Sequence, residues 1–273
     1  MNRRGMLTLG LLTLLAGPTA AGEHLQRFAP GAAGGKTFDH GPFERVLGRY
    51  VHASSDGVNR VDYRAWKSSA RDLESLRAYI REVEAQNPRA LTHAEQFAYW
   101  ANLYNAETLR VVLAAYPIKS ILLIHPILFA IGPWKKPTLV VAGVALSLDE
   151  VENGILRPLF GDPRGHYALN CASTSCPNLR PIPWSGATLD SDLDAAAQAY
   201  VNHPRGVRVA AKGLTLSSIY KWYRADFGGS DASVLAHLRR YARGPLAARL
   251  DARPAIIGYD YDWSLNDTAS EPR

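Results

Sequence analysis

Cysteine is scarce in this chain of 273 residues, which contains only Cys171 and Cys176. Two cysteines at this spacing exclude a zinc ribbon, and neither an HExxH nor an EF-hand spacing occurs. A glycine-rich phosphate loop and the Gly-x-Ser-x-Gly motif of ordinary serine hydrolases are also absent. We therefore predict no bound metal and no cofactor.

Dense runs of Lys and Arg with interleaved aromatic residues are absent as well, although the formal net charge is +6. This charge is mild for the length, and nucleic acid is not a predicted partner. After the N-terminal segment, no apolar stretch approaches the roughly 20 residues needed to cross a bilayer. We predict no stable membrane insertion. The sequence does not indicate an oligomeric state.

The N-terminus has the three parts of a secretory signal peptide. A positively charged start precedes an apolar run over residues 6–16, and small residues lead to an expected cleavage after Ala21. Residues 2–7 also resemble a twin-arginine signal. We predict a periplasmic or secreted protein with a signal peptide (1–21), a flexible leader (22–41), a globular domain (42–266) and a tail (267–273).

Hydrophobic periodicity predicts helices over residues 72–84 and 92–116, the second beginning with a capping box from Thr92 to Glu95. Alternation and short apolar runs predict strands or hairpins at 139–146 (turning at Ala142-Gly143), 167–171, 206–216 (turning at Lys212-Gly213) and 256–263. The predicted fold class is α+β: a helix-rich single domain around a small, mainly antiparallel sheet.

The helix predicted over residues 92–116 carries apolar residues all round, so it should be buried. Yet Glu95, Asn102 and Asn105 fall within about 80° of each other on its helical projection. Buried polar groups need partners, or each costs about 1–3 kcal/mol. This polar stripe should therefore face a polar network or a site, while Glu95 has the alternative role of capping-box acid.

The segment around the cysteines is the strongest candidate for chemistry. Cys171 closes the strand predicted at 167–171, and four small residues follow it. A thiol at such a turn is a candidate nucleophile, and the N–H groups of residues 172–175 would bind the oxyanion. The alternatives are a disulfide to Cys176, which export favours, and an inert buried thiol.

A nucleophilic thiol needs a base, and His166 is the nearest histidine in sequence. In an extended strand, His166 and Cys171 would lie on opposite faces and about 16 Å apart, at about 3.3 Å per residue. His52 and His125 are the alternative bases. The catalytic candidates are Cys171, His166, Glu95 and Asn102, and the substrate-binding candidates are Asn105, Trp100, Ser173 and Ser175.

Asp260 and Asp262 lie two residues apart on the last predicted strand, hence on one face. That placement suits a metal site or an acid/base pair. The alternative is an exposed acidic face opposite an aromatic core face formed by Tyr259, Tyr261 and Trp263.

Three segments resemble the motifs of a known family, the domain of unknown function 547: residues 95–106, 162–177 and 260–266. The resemblance runs over residues 43–266. The family pattern is similar to that of papain-like thiol enzymes, which implies a papain-like fold by analogy. Many members carry histidine where this chain has Asn153, after Glu152. If that histidine is the base, this protein is impaired or uses another.

Three functions follow as hypotheses. The first is an exported cysteine-dependent hydrolase or acyl transferase that acts on an amide or ester of a small molecule or peptide, with Cys171 as nucleophile. The second is a non-catalytic exported binding protein, in which a Cys171–Cys176 disulfide braces a loop beside the polar stripe. The third is a metal-dependent hydrolase that uses Asp260, Asp262 and a histidine.

Overall fold

The structure is a computed structural model that describes residues 27–29, 35–125 and 131–270. The predicted signal peptide and half of the predicted leader lie outside the described residues. Within the described ranges, no helix combines the length and apolarity needed to cross a bilayer. The architecture is α+β and helix-rich, as predicted, with small and mainly antiparallel sheets.

The N-terminal half is mainly helical. Its elements are α1 (Gly41–Tyr50), β1 (Val51–Ala53), β2 (Asn59–Val61), α2 (Tyr63–Ser68), α3 (Ala70–Ala85) and α4 (His93–Ala115). The two helices predicted from periodicity are confirmed as α3 and α4. Side chains cap both N-termini, since Ser69 accepts from the Asp72 N–H and Thr92 from the Glu95 N–H.

The middle of the chain begins with an antiparallel hairpin of β3 (Leu139–Val141) and β4 (Val144–Leu146), as predicted. Its turn residues Ala142 and Gly143 both adopt positive φ, which matches a two-residue hairpin turn. A π-helix (Glu150–Leu156) follows and continues directly into α5 (Arg157–Phe160). The first seven residues of this helical segment thus have the wider π geometry.

The strand predicted at residues 167–171 is wrong. A 3₁₀ turn occupies Pro163–Tyr167, and residues 168–171 have no regular structure. Asp162 caps this turn by accepting the Arg164 N–H at 2.8 Å. A short buried apolar run cannot be assigned to a strand by hydrophobicity alone, because an irregular buried segment has the same composition.

The C-terminal part contains a mixed three-stranded sheet. Its elements are α6 (Leu189–Val201), β5 (Val207–Ala210), β6 (Gly213–Ser217), α7 (Ile219–Trp222), α8 (Asp231–Tyr241), α9 (Gly244–Asp251) and β7 (Ile256–Asp260). Strands β5 and β6 form the predicted hairpin, with Gly213 already in β6. Strand β7 pairs parallel to β6, because helices α7 to α9 carry the chain back across the sheet.

Two hydrophobic cores fill the described part of the molecule. The larger surrounds α4, which is buried along most of its length, as its apolar residues on every face predict. The smaller lies among α6, α8 and the three-stranded sheet and includes Tyr167, Tyr200 and Tyr220. Burial raises the pKa of each of these three tyrosines.

His237 on α8 lies at the edge of the smaller core. Its Nε2 is 2.8 Å from the Tyr167 hydroxyl, and its ring meets Phe227 edge-on with centroids 4.8 Å apart. Burial lowers the pKa of His237 from 6.5 to about 4. The folded protein therefore holds this imidazole in its neutral form at neutral pH.

This pKa predicts a loss of stability in mild acid. As pH falls from 6.5 towards 4, His237 binds a proton in the unfolded chain but not in the folded one, so the free energy of unfolding should decrease. His237→Gln, which cannot titrate, should show a smaller decrease. Urea denaturation of both proteins at pH 7 and pH 4.5 measures the difference, and equal decreases would show that His237 does not contribute.

Candidate functional site

Two asparagines of α4 hold the irregular segment that leads to the cysteines. Asn105 Nδ2 donates to the Ala168 carbonyl, and Asn105 Oδ1 accepts the Asn170 N–H, both at 2.9 Å. Asn102 pairs in the same way with the carbonyl and N–H of Trp184, at 2.8 and 2.9 Å. The predicted polar stripe thus faces a polar network. In it, the amide side chains bind backbone N–H and carbonyl groups, as a neighbouring strand would.

Glu95, the first residue of the stripe, also binds backbone. Its N–H completes the Thr92 cap at 3.2 Å, but its carboxylate turns away to accept the N–H groups of Gly186 and Phe38 and lies 3.2 Å from His40 Nε2. Burial opposes its charge, yet these donors, led by His40, hold the pKa of Glu95 below its ordinary value. The side chain is therefore a structural ion-pair partner rather than a capping-box acid.

Cys171 and Cys176 form a disulfide, with their Cα atoms 6.3 Å apart, and the described residues contain no free cysteine. The Tyr261 hydroxyl lies against both sulfurs, at 3.3 Å from Cys171 Sγ and 3.1 Å from Cys176 Sγ. The Ser173 hydroxyl lies 3.4 Å from Cys176 Sγ. The bridged alternative is therefore present, and Cys171 has no thiol in this state.

The turn after Cys171 has little free N–H capacity. Ala172 adopts a positive φ of 61°, which reverses the chain sharply, and its N–H donates to the preceding asparagine side chain at 2.9 Å. The N–H groups of Thr174 and Ser175 donate to the carbonyls of Ser264 and Asp262, at 2.8 and 3.2 Å. The oxyanion hole expected here is not preformed, because the protein itself occupies most of its donors.

A cavity of about 670 Å³ lies beside the disulfide, where the two cores meet. That volume is within the range of small-molecule sites. Cys171, Cys176 and Leu169 form part of its wall. Aromatic rings from four regions of the chain also line it: Tyr104, Trp134, Trp222, Tyr223, Tyr261 and Trp263.

The rings on one side of the cavity form a continuous wall centred on Trp263. Its ring centroid lies 4.7 Å from that of Tyr261, 5.6 Å from Trp222 and 5.7 Å from Trp134. Gly132, with a φ of +73°, lets the Trp134 ring pack directly on its backbone, since a Cβ there would lie 1.9 Å from the ring. Only glycine at this position permits this placement of Trp134.

His166 lines the same cavity as Cys171, and the strand on which the expected separation of about 16 Å depended is absent. The imidazole stacks on Tyr223 at 4.2 Å, and its Nε2 is 2.7 Å from Asp226 Oδ2. Arg157 donates to both oxygens of Asp226, at 2.6 and 2.9 Å. Hydrogen bonding to His166 and Arg157 lowers the pKa of Asp226 well below its usual range.

The π-helix brings two further polar residues to the cavity, Glu152 and Asn153. Glu152 is only 9% exposed. Asn153 donates to Asp149 at 2.9 Å and accepts from Arg157 at 2.7 Å. Short π-helical segments occur frequently at functional sites, because their wider turn re-aims side chains.

Several predicted site residues do not reach the cavity: Glu95, Asn102, Asn105, Trp100, Ser173 and Ser175. Trp100 is fully buried, with its ring against Phe28 and Tyr99. The Ser175 hydroxyl accepts the Asp262 N–H at 2.8 Å. The alternative bases His52 and His125 do not line the cavity either.

Asp260 and Asp262 do not lie together on one strand, because β7 ends at Asp260. Asp260 binds Arg208 at 3.1 Å, and Asp262 lies past the strand and accepts the Ser264 N–H. Among the residues that the structure describes, no group of three His, Cys, Asp or Glu side chains is placed to hold a metal ion.

The sequence reasoning missed most of the cavity wall. The alternation of Tyr261 and Trp263 was visible, but the rings line the cavity instead of a core face. Trp222 and Tyr223 lie between β6 and β7 and carry no signal in the sequence alone.

Residues 88–201 match the model of a family described as "Protein of unknown function, DUF547". The resemblance to this family is therefore confirmed over a segment that contains α4, the π-helix and the disulfide. Two of the three motifs lie inside it, and the motif at residues 260–266 lies beyond it. No curated protein and no solved structure matches the chain.

The disulfide predicts a simple thiol count. Protein isolated from an oxidising compartment and unfolded without reductant should contain no titratable thiol, and its intact mass should rise by two hydrogens after reduction. Thiol titration and intact mass spectrometry measure these quantities. Two titratable thiols in the unreduced protein would contradict the bridge.

Proposed function

We propose that this protein is an exported binding protein, whose aromatic cavity takes a small molecule and whose Cys171–Cys176 disulfide braces the cavity wall. The observation that carries the proposal is the position of the bridge, which places the chain's only two cysteines in the wall and leaves neither as a thiol. Export to an oxidising compartment accounts for a stable bridge.

The hydrogen bonding of the turn after Cys171 also supports binding over catalysis. Acyl transfer needs hydrogen-bond donors that are free and already oriented towards the developing oxyanion. Here the N–H groups of Ala172, Thr174 and Ser175 already donate to the protein. A rigid wall of this kind suits a preformed binding cavity, which loses little conformational entropy when a ligand enters.

Trp222 tests the cavity as a binding site. We expect Trp222→Ala to weaken binding of the neutral fluorescent probe N-phenyl-1-naphthylamine about tenfold, because the ring lines the cavity. Ile257→Ala is the matched control, since Ile257 is 49% exposed, Trp222 is 48% exposed, and Ile257 does not line the cavity. Fluorescence titration gives the Kd, and equal affinity in both variants would contradict a binding cavity.

A second function has one specific observation in its favour. Cys171 and His166 line one cavity, and Asp226 holds the Nε2 of His166, which is the order of groups in a thiol-based acyl transfer site. This chemistry requires prior reduction of the bridge by a thiol reductant, after which the Cys171 thiolate would attack an ester or amide carbonyl.

The reduced protein distinguishes this second function. Wild type treated with a phosphine reductant should hydrolyse p-nitrophenyl acetate, and Cys171→Ser should lose that activity about a hundredfold or more. Cys176→Ser is the matched control, because it also removes the bridge but keeps the Cys171 thiol, and it should remain active. If reduced wild type and Cys171→Ser have the same rate, the thiol enzyme is excluded.

A further inference from the structure

The aromatic wall gives the cavity a preference for positively charged ligands. The faces of Trp and Tyr rings carry partial negative charge and attract cations, with Trp the strongest. Three tryptophans and three tyrosines line this cavity. Of these, Trp134, Trp222 and Trp263 form a contiguous group, and aromatic groups of this kind are the usual recognition device for ammonium ligands.

Glu152 contributes a carboxyl group to this environment. It lines the cavity while remaining 91% buried, and the part of the chain that the structure describes places no lysine or arginine in an ion pair with it. Burial raises the pKa of Tyr104 and Tyr223, and the nearby Glu152 carboxylate raises both further. The hydroxyls of Tyr104 and Tyr223 hydrogen-bond to this carboxylate, and a bound cation would add the direct ion pair that it lacks among the described residues.

The neighbouring positive groups form no ion pair with Glu152 among the described residues. Arg157 does not line the cavity, and although its charge acts on Glu152, its hydrogen bonds to a carboxylate go to Asp226, which also holds His166. Lys135 lines the cavity but is exposed, where water screens its charge. The deep part of the cavity therefore favours positive charge, even though the chain as a whole is basic.

We infer that the ligand of this cavity is an organic cation, an amine or quaternary ammonium compound, with its charged group between the Glu152 carboxylate and the tryptophan rings. The inference rests on the proposed binding function and names its ligand class. Apolar substituents of the ligand would contact Leu169 and the disulfide, which form the uncharged part of the wall.

A charge series of equal shape tests the inference. Choline, 3,3-dimethylbutan-1-ol and 3,3-dimethylbutanoate place positive, zero and negative charge on nearly the same carbon framework. Isothermal titration calorimetry of the disulfide-bonded wild type should give the tightest binding for choline. The neutral alcohol should bind about tenfold or more weakly, and the anion weakest.

Glu152→Gln should weaken choline about tenfold and leave the neutral alcohol unchanged, because only the charge is removed. Glu82→Gln is the matched control, since Glu82 is exposed and does not line the cavity. The wild-type series decides the question by itself if Glu152→Gln does not fold.

The outcomes separate this inference from the proposed function. Equal affinity for choline and the neutral alcohol, tighter binding of the anion, or an unchanged choline affinity in folded Glu152→Gln would each overturn the cationic ligand. Binding of N-phenyl-1-naphthylamine without binding of choline would also overturn the cationic ligand. The proposed binding function would be retained in that case. Failure of all four probes to bind would overturn both.

Discussion

A long stretch of buried, irregular backbone in this protein depends on one helix for its hydrogen bonds. Residues 168–184 form neither helix nor strand, yet many of them are buried. Asn105 and Asn102 of α4 bind this stretch at both ends, each through a paired N–H and carbonyl contact. Without such partners, each buried backbone group would cost about 1–3 kcal/mol. The cavity wall, including the disulfide, is attached to this anchored segment.

The same anchoring explains why the cysteine turn suits a wall better than a reaction centre. Asn170 continues the network, because its side chain accepts the Ala172 N–H and donates to the Pro177 carbonyl. The segment after β7 supplies further acceptors to the turn. Every donor used in this way stabilises the loop and is unavailable to a developing oxyanion. An N–H group of this turn can either donate to the protein and keep the loop rigid or bind an oxyanion during catalysis, but it cannot do both.

The two carboxylates near the cavity, Asp226 and Glu152, differ in their partners. Asp226 is fully engaged by His166 and Arg157, so its negative charge is neutralised within the protein. Glu152, carried on the π-helix, hydrogen-bonds to Tyr104 and Tyr223 and interacts with the charge of Arg157, but it forms no ion pair within the described ranges. This carboxylate and the electron-rich rings therefore act in the same direction on any molecule that enters.

Local patterns in the sequence were sufficient for the regular elements. Helices α3 and α4 follow from periodicity and capping, and the hairpin at Ala142-Gly143 follows from turn chemistry, because these depend on neighbours a few residues apart. The burial of the polar stripe on α4 was predictable for the same reason. Its partners were not, since Trp184 lies 82 residues from Asn102.

Tertiary structure alone decided what surrounds the sulfurs. Tyr261 lies 90 residues from Cys171, and Trp134, Glu152 and Trp222 come from three different elements, so no local spacing relates them. Residues 167–171 were assigned to a strand because a short apolar run indicates burial but not backbone geometry. The sequence by itself determined which segments are regular and buried, while packing between distant segments determined which side chains meet at the cavity.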